Sequence, residues 1–314
     1  MNKEQLAVLS KFNHRVIKHP QFESAFSKIE EAYQLNDEIG FQLNLICIGM
    51  SGTGKSTLKR RLVKKYPESY AKDRKIVPVL VIDTPSLPTV KNMAEGMLFQ
   101  LGDPAFFKGS AVDKTGRILN YIKSCQVRLI IFDELQHFID QGSRAAPRQV
   151  SDWLKTLIDQ SGSSAVLMGL EQSEYILRIN EQLRRRFSRR VDLKPFSIAC
   201  SSSFRDFTKV IKGLYRTADM PLSGKLSQDL FKRWHFATNG IMAYMVNLII
   251  SAYQVAQREG YASIHQECLE QAFIESIWSE GEGRLNPFSK SFNFNRLIKP
   301  GMPFHKIETK ELAI

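Results

Sequence analysis

Five short runs of apolar residues punctuate the chain: Leu43-Asn-Leu-Ile-Cys-Ile48, Ile76-Val-Pro-Val-Leu-Val-Ile82, Arg128-Leu-Ile-Ile-Phe132, Ala165-Val-Leu-Met168 and Arg190-Val-Asp-Leu193. They are nearly continuous rather than alternating, the pattern of strands buried on both faces. Pro78 puts its run near a strand start or the sheet edge. Phe22, Phe26, Ile29 and Tyr33 recur at helical spacing, a helix through Met97-Leu-Phe-Gln-Leu101 stops at Gly102-Asp-Pro104, and another runs from about Asp113 to Cys125. Strands alternating with helices predict an α/β fold: a five-stranded parallel sheet covered by helices on both faces.

The pattern changes after Lys194-Pro195-Phe196. Helical segments near 203–216, 226–237, 240–257 and 265–279 follow with no strand between them, which predicts a smaller all-helical lid. Residues 1–20 are polar and basic and read as an arm. Residues 284–314 hold prolines 287, 300 and 303, six Lys/Arg against two Glu and no periodic apolar pattern, so they read as an extended basic tail. The expected division is 1–20 arm, 21–196 α/β domain, 197–283 lid and 284–314 tail.

The first apolar run leads directly into Gly49-Met50-Ser51-Gly52-Thr53-Gly54-Lys55-Ser56-Thr57, which fits the phosphate-binding pattern G-x-x-x-x-G-K-[ST]. A buried strand ends, glycines let the backbone fold tightly, and the N–H groups and the following helix N-terminus point at an anion. Lys55 is positioned to reach the β- and γ-phosphates of ATP, and the Ser56 hydroxyl to ligate Mg²⁺. The third run ends in Asp133-Glu134, two carboxylates at the strand end where open α/β sheets bind ligands. Asp133 reads as holding Mg²⁺ through a water and Glu134 as the residue that polarises the attacking water. That second carboxylate speaks against a small-molecule kinase, in which a water-activating base would waste ATP. No N-K-x-D motif for reading guanine is present. Five arginines between Arg184 and Arg190 precede the fifth strand, and Arg186, then Arg185, are the candidates for a finger supplied to a neighbour's γ-phosphate.

A net charge of +12 raises the expectation of a polyanionic partner, nucleic acid before membrane. Cys47, Cys125, Cys200 and Cys268 are scattered, which suggests neither a zinc site nor a disulfide framework. The apolar helix from Ile241 to Tyr253 is interrupted by Asn247 and too short to span a bilayer, so a soluble, cytoplasmic protein with no membrane partner is expected.

Together, these motifs and the helical lid resemble the AAA+ ATPases. Two narrower stretches, Val77-Pro-Val-Leu-Val-Ile-Asp-Thr-Pro-Ser-Leu-Pro-Thr89 leading to Gln100-Leu-Gly-Asp-Pro104, and Ile130-Ile-Phe-Asp-Glu-Leu-Gln-His137, resemble the TniB/TnsC family, regulators of DNA transposition related to MuB. The resemblance covers roughly residues 20–280. It implies an ATPase that assembles with itself as rings or filaments on double-stranded DNA, without sequence preference, in the ATP state. Such a protein links a TniQ-like target-selection factor to transposase subunits and is reset by hydrolysis. Two departures imply slow hydrolysis: Gln172 or Ser173 stands where a polar sensor is usual after the fourth strand, and Thr238 to Tyr244 offers no sensor arginine.

A DNA-tracking assembly needs cations to neutralise phosphates. Lys108, Lys114, Thr115 and Arg117, in the segment before the Asp133 strand, are the first candidates, with Lys91 and a loop carrying Arg144 and Arg148 next. The alternatives are an AAA+ replication initiator or helicase loader and, further off, a P-loop kinase for a small molecule.

Overall fold

The structure, a computed structural model, describes residues 3–71, 74–138 and 145–305. Its strands are β1 (Leu45–Gly49), a small hairpin of β2 (Ser69–Ala71) and β3 (Arg74–Ile76), β4 (Val79–Asp83), β5 (Leu129–Asp133), β6 (Ser164–Gly169) and β7 (Arg189–Leu193). The helices are α1 (Lys3–His14), α2 (Pro20–Ile39), α3 (Lys55–Lys65), α4 (Val90–Leu101), α5 (Ala111–Ser124), α6 (Ala145–Ser161), α7 (Tyr175–Arg178) and α8 (Glu181–Arg186). They continue as α9 (Ser201–Ala218), α10 (Gln228–Thr238), α11 (Met242–Arg258) and α12 (Gln266–Ser276).

Five strands form one parallel sheet in the order β4-β5-β6-β1-β7. The order explains the hydrophobic pattern. β1, β5 and β6 are interior strands and every residue in them is buried, whereas β4 and β7 lie at the edges and carry exposed positions. Pro78 sits just before the edge strand β4, where its missing N–H breaks no ladder bond. Ile130, Phe132 and Leu167 from the sheet meet Met93 and Met97 of α4, Ile118 of α5 and Leu154 of α6 in one core. Each such side chain contributes about 1.5–3 kcal/mol by leaving water. Local signals set the helix limits. Thr89 caps α4 by accepting from the Asn92 N–H, Gly102 ends it in the left-handed region, and Ser110 with Asp113 forms a capping box on α5.

The chain divides into two units, residues 21–194 and residues 1–20 with 195–314. The first is the sheet with its helices. At its ends the Gln21 amide, in the orientation that satisfies both its atoms, donates to the Lys194 carbonyl and accepts from the Lys194 N–H, each at 3.0 Å. The second unit has its own core, built by Phe207, Leu214, Trp234, Leu248, Leu269 and Phe273 of α9 to α12.

Both ends of the chain differ from expectation. Residues 1–20 are no free arm: α1 packs on α9, Val8 is buried in the helical core, and Lys11 pairs with Asp219 at 3.0 Å. The tail from 284 is folded as far as His305. Phe288, Leu297 and Phe304 enter the same core, and the Asn286 amide donates to the Glu270 and Gly281 carbonyls. Arg233 binds the Pro287 and Ser289 carbonyls and lies under Phe294. Among the described residues no single helix is long and apolar enough to cross a membrane.

Candidate nucleotide site

The sheet's C-terminal end gathers the candidate residues. β1 delivers the chain into the loop from Gly49 to Gly54, and α3 starts at Lys55. Only glycine fits at position 49, where a Cβ would stand 2.5 Å from the Leu193 carbonyl oxygen of neighbouring β7. Gly54 is the N-cap at φ +111°, a left-handed conformation that side chains resist. No side chain caps α3 and no acidic residue lies in its first turn. The first N–H groups of α3 therefore have no side-chain cap among the described residues, a cradle that fits phosphate oxygens.

Lys55 is buried, and its ammonium donates to the loop's own carbonyls at Gly49 and Met50, the latter at 3.0 Å. Burial lowers its pKa, against the opposing pull of Asp133 and Glu134. Thr53 donates to the Met50 carbonyl at 2.8 Å and is buried, so its hydroxyl braces the loop. Met50, Ser51, Gly52, Ser56 and Thr57 complete the turn, and the Ser56 side of α3 is exposed.

Asp133 ends β5 and is 2% exposed. Its Oδ1 accepts the Glu134 N–H at 2.8 Å, and its Oδ2 pairs with Lys59 at 2.7 Å. Glu134 sits at φ +58°, a conformation uncommon outside glycine and stored at functional sites at a cost of order 1 kcal/mol. Its carboxylate takes a hydrogen bond from the Gln136 amide, whose oxygen accepts the Leu170 N–H at 3.4 Å where β6 exits the sheet. Gln136 thus ties the candidate base to the strand end where a sensor was sought. Of the two residues named for that role, Ser173 is buried with its hydroxyl unpartnered among the described residues, and Gln172 is exposed. The His137 ring bonds the Thr84 carbonyl at 2.9 Å, which makes it a brace on the next loop.

Three residues escaped the sequence reading: Lys59, Asp83 and Gln136. In the sequence Lys59 is one of several cations on α3, with nothing to set it apart. Only the pairing of β4 with β5, which sets Asp83 beside Asp133, shows what it faces. Burial alone would lower the Lys59 pKa, but the bonds to Asp133 and Asp83 outweigh it and the net shift is upward.

The other candidates scatter. Arg186 forms a two-pronged pair with Asp159, one contact at 2.7 Å, and donates to the Gln182 carbonyl; Arg185 is exposed and pairs with Glu181 at 2.6 Å. Arg184 is also exposed. Lys114 is a correction. It is fully buried, with its ammonium on Glu95 at 2.8 Å and on the Phe107 and Gly109 carbonyls, so it cannot touch a phosphate. Thr115 donates to the Ala111 carbonyl and accepts from Trp153, and Arg117 is held by Asp103 and by the Ala105 and Lys108 carbonyls. Lys91 and Lys108 are exposed. Arg148 is exposed on α6 rather than in a loop, and Arg144 lies outside the described residues.

The profile of bacterial TniB proteins matches residues 9–197. The chain belongs to the TniB family. No curated protein matches this TniB-family chain. Among solved structures it is similar to the ORC2 protein of Aeropyrum pernix in its ADPNP–ADP complexes, at 16% identity and TM-score 0.60, covering 85% of this chain and 71% of that one. It is similar to ORC1 of the same organism in complex with DNA, at 15% identity and TM-score 0.56, covering 83% and 66%. It is also similar to the RuvB Holliday junction branch migration motor of Thermotoga maritima, at 13% identity and TM-score 0.50, covering 82% and 70%. By family and fold, this TniB protein is an AAA+ P-loop ATPase.

Proposed function

We propose that this protein is an ATP-driven switch of DNA transposition: it assembles with itself on double-stranded DNA when ATP is bound, presents transposase subunits with the site chosen by a TniQ-like factor, and lets go on hydrolysis. The reading is supported by the placing of Asp133 and Glu134 at the end of β5 and by the uncapped α3, in a chain of the TniB family. Gly49 to Thr57 and Lys55 would hold the triphosphate. Ser56 and Asp133 are hard oxygen donors that suit Mg²⁺, which when bound would neutralise charge on the β- and γ-phosphates. Glu134 would take up its base role only after trading the Gln136 amide for a water. That requirement fits a slow enzyme.

Sequence-independent DNA binding is supported by the net charge of +12. The exposed Lys91, Lys108 and Arg148 are the phosphate contacts we favour. Arg186 can serve a neighbour's γ-phosphate only by giving up Asp159, whereas Arg185 has a weak, solvated partner and is free to move. A role in replication initiation has the likeness to the ORC proteins in its favour, which is a likeness of fold. Electron microscopy with a non-hydrolysable ATP analogue, with and without duplex DNA, tests the proposal. Rings or filaments that need both are expected, and monomers under both conditions would overturn it.

A further inference from the structure

Lys59 stands four residues beyond Lys55 and three beyond Ser56, so all three lie on neighbouring positions of the same stretch of α3. Its ammonium is held between two carboxylates, Asp133 Oδ2 at 2.7 Å and Asp83 Oδ1 at 2.8 Å. Those carboxylates end adjacent parallel strands in register, roughly 5 Å apart along the sheet. Side by side and unneutralised they would repel, and Asp133 is buried away from solvent screening. Both oxygens of Asp133 are engaged, one by the Glu134 N–H and the other by Lys59. The two ends of this bridge are unequal. The Asp133 side chain is 3% exposed and that of Asp83 is 70% exposed, with Lys59 between them at 18%. The solvated carboxylate can follow the ammonium as it moves, whereas the buried one is fixed by its backbone bond.

We propose that Lys59 is a latch on the metal-site carboxylate: it occupies Asp133 until Mg²⁺ arrives with the nucleotide, then passes to Asp83 alone. Lys59 is a positioning residue in this scheme. It keeps two neighbouring acids in place and makes metal loading a replacement of one cation by another. Asp83 is the parking place that keeps the released ammonium near the site. A plain tie between α3 and the sheet would look the same in a static view, but it predicts lower stability on removal and no effect specific to the metal.

The latch rests on reading Asp133 and Ser56 as Mg²⁺ donors, and one experiment separates the two claims. Affinity of the full chain for a fluorescent mant-ATP is measured in EDTA and in Mg²⁺ for the native protein, Lys59→Met and Lys59→Arg. For Lys59→Met the dissociation constant in Mg²⁺ should fall about fivefold, the scale of one partly exposed ion pair, while that in EDTA stays within about twofold. Lys59→Arg keeps the cation and grips carboxylates more firmly, so its dissociation constant in Mg²⁺ should rise about threefold. These opposite displacements are what a structural tie does not produce. An unchanged or weaker Mg²⁺ affinity in Lys59→Met, with the native protein responding to Mg²⁺, overturns the latch alone. Should Lys59→Met lose binding in EDTA as well, Lys59→Arg decides, and an unchanged or tighter value in Mg²⁺ overturns the latch. A native protein that binds equally in EDTA and Mg²⁺ overturns the metal-site reading and the latch together.

Discussion

Two regions of the α/β unit concentrate lysine and arginine, and they use them in opposite ways. Along α3, Lys55 and Lys59 reach the sheet's C-terminal end, where one holds loop carbonyls and the other strand-end carboxylates. At the start of α5, Lys114 and Arg117 are tied to Glu95, Asp103 and four backbone carbonyls of the loop before it. The first region is built for substitution of one ligand by another, the second for staying shut. Positive charge in a sequence is therefore no map of a binding face. A buried cation with several carbonyl acceptors is a loop staple, and fewer cations face outward than the residue count suggests.

Mutations should separate the two regions. The largest effect is expected at the strand ends beside α3: Glu134→Gln should cut hydrolysis by about 10²–10⁴-fold in a phosphate-release assay while leaving nucleotide affinity unchanged. It should also trap DNA-bound assemblies; loss of DNA binding as complete as in Lys55→Ala would break the switch. Lys55→Ala should weaken mant-ATP binding about 100-fold with little change in melting temperature, as befits a charge-assisted contact to an exchangeable ligand. Lys114→Ala should do the reverse. It leaves Glu95 and two carbonyls without their donor and should cost about 2–3 kcal/mol in urea unfolding. Any loss of DNA affinity should track that instability, with the salt dependence unchanged. The smallest effect belongs to Lys108→Ala, which should weaken duplex binding a few-fold and reduce the salt slope by about 1. A slope that falls in Lys114→Ala but not in Lys108→Ala would invert the contrast.

The sheet was legible because its strands stand out as short apolar runs alternating with helices, with Pro78 just before β4; the strand order was not. The phosphate loop was legible because its glycines and lysine sit at fixed spacing. Lys59 was not, since Leu58-Lys-Arg-Arg-Leu62 reads as an ordinary amphipathic turn until the register of Asp83 with Asp133 is known. The chain ends were misread for a different reason. Phe288, Leu297 and Phe304 have no helical or strand period because backbone carbonyls caught by Arg233 and Asn286 hold their segment down, and such bonds leave no periodic trace. Lys114 misled because a buried and an exposed lysine are the same letter.

The hydrogen-bonded meeting of Gln21 with Lys194 has a consequence for biosynthesis. Everything the sheet needs has been made once residue 194 leaves the ribosome, so the α/β unit can close while the rest of the chain is still being translated. The helical unit cannot. Its first helix is made first, yet α1 must wait for α9, nearly the length of a whole domain later, before Val8 finds its place. The early segment therefore spends translation without its packing partner, and this delayed long-range closure is where a ribosome-bound chaperone would have most to protect.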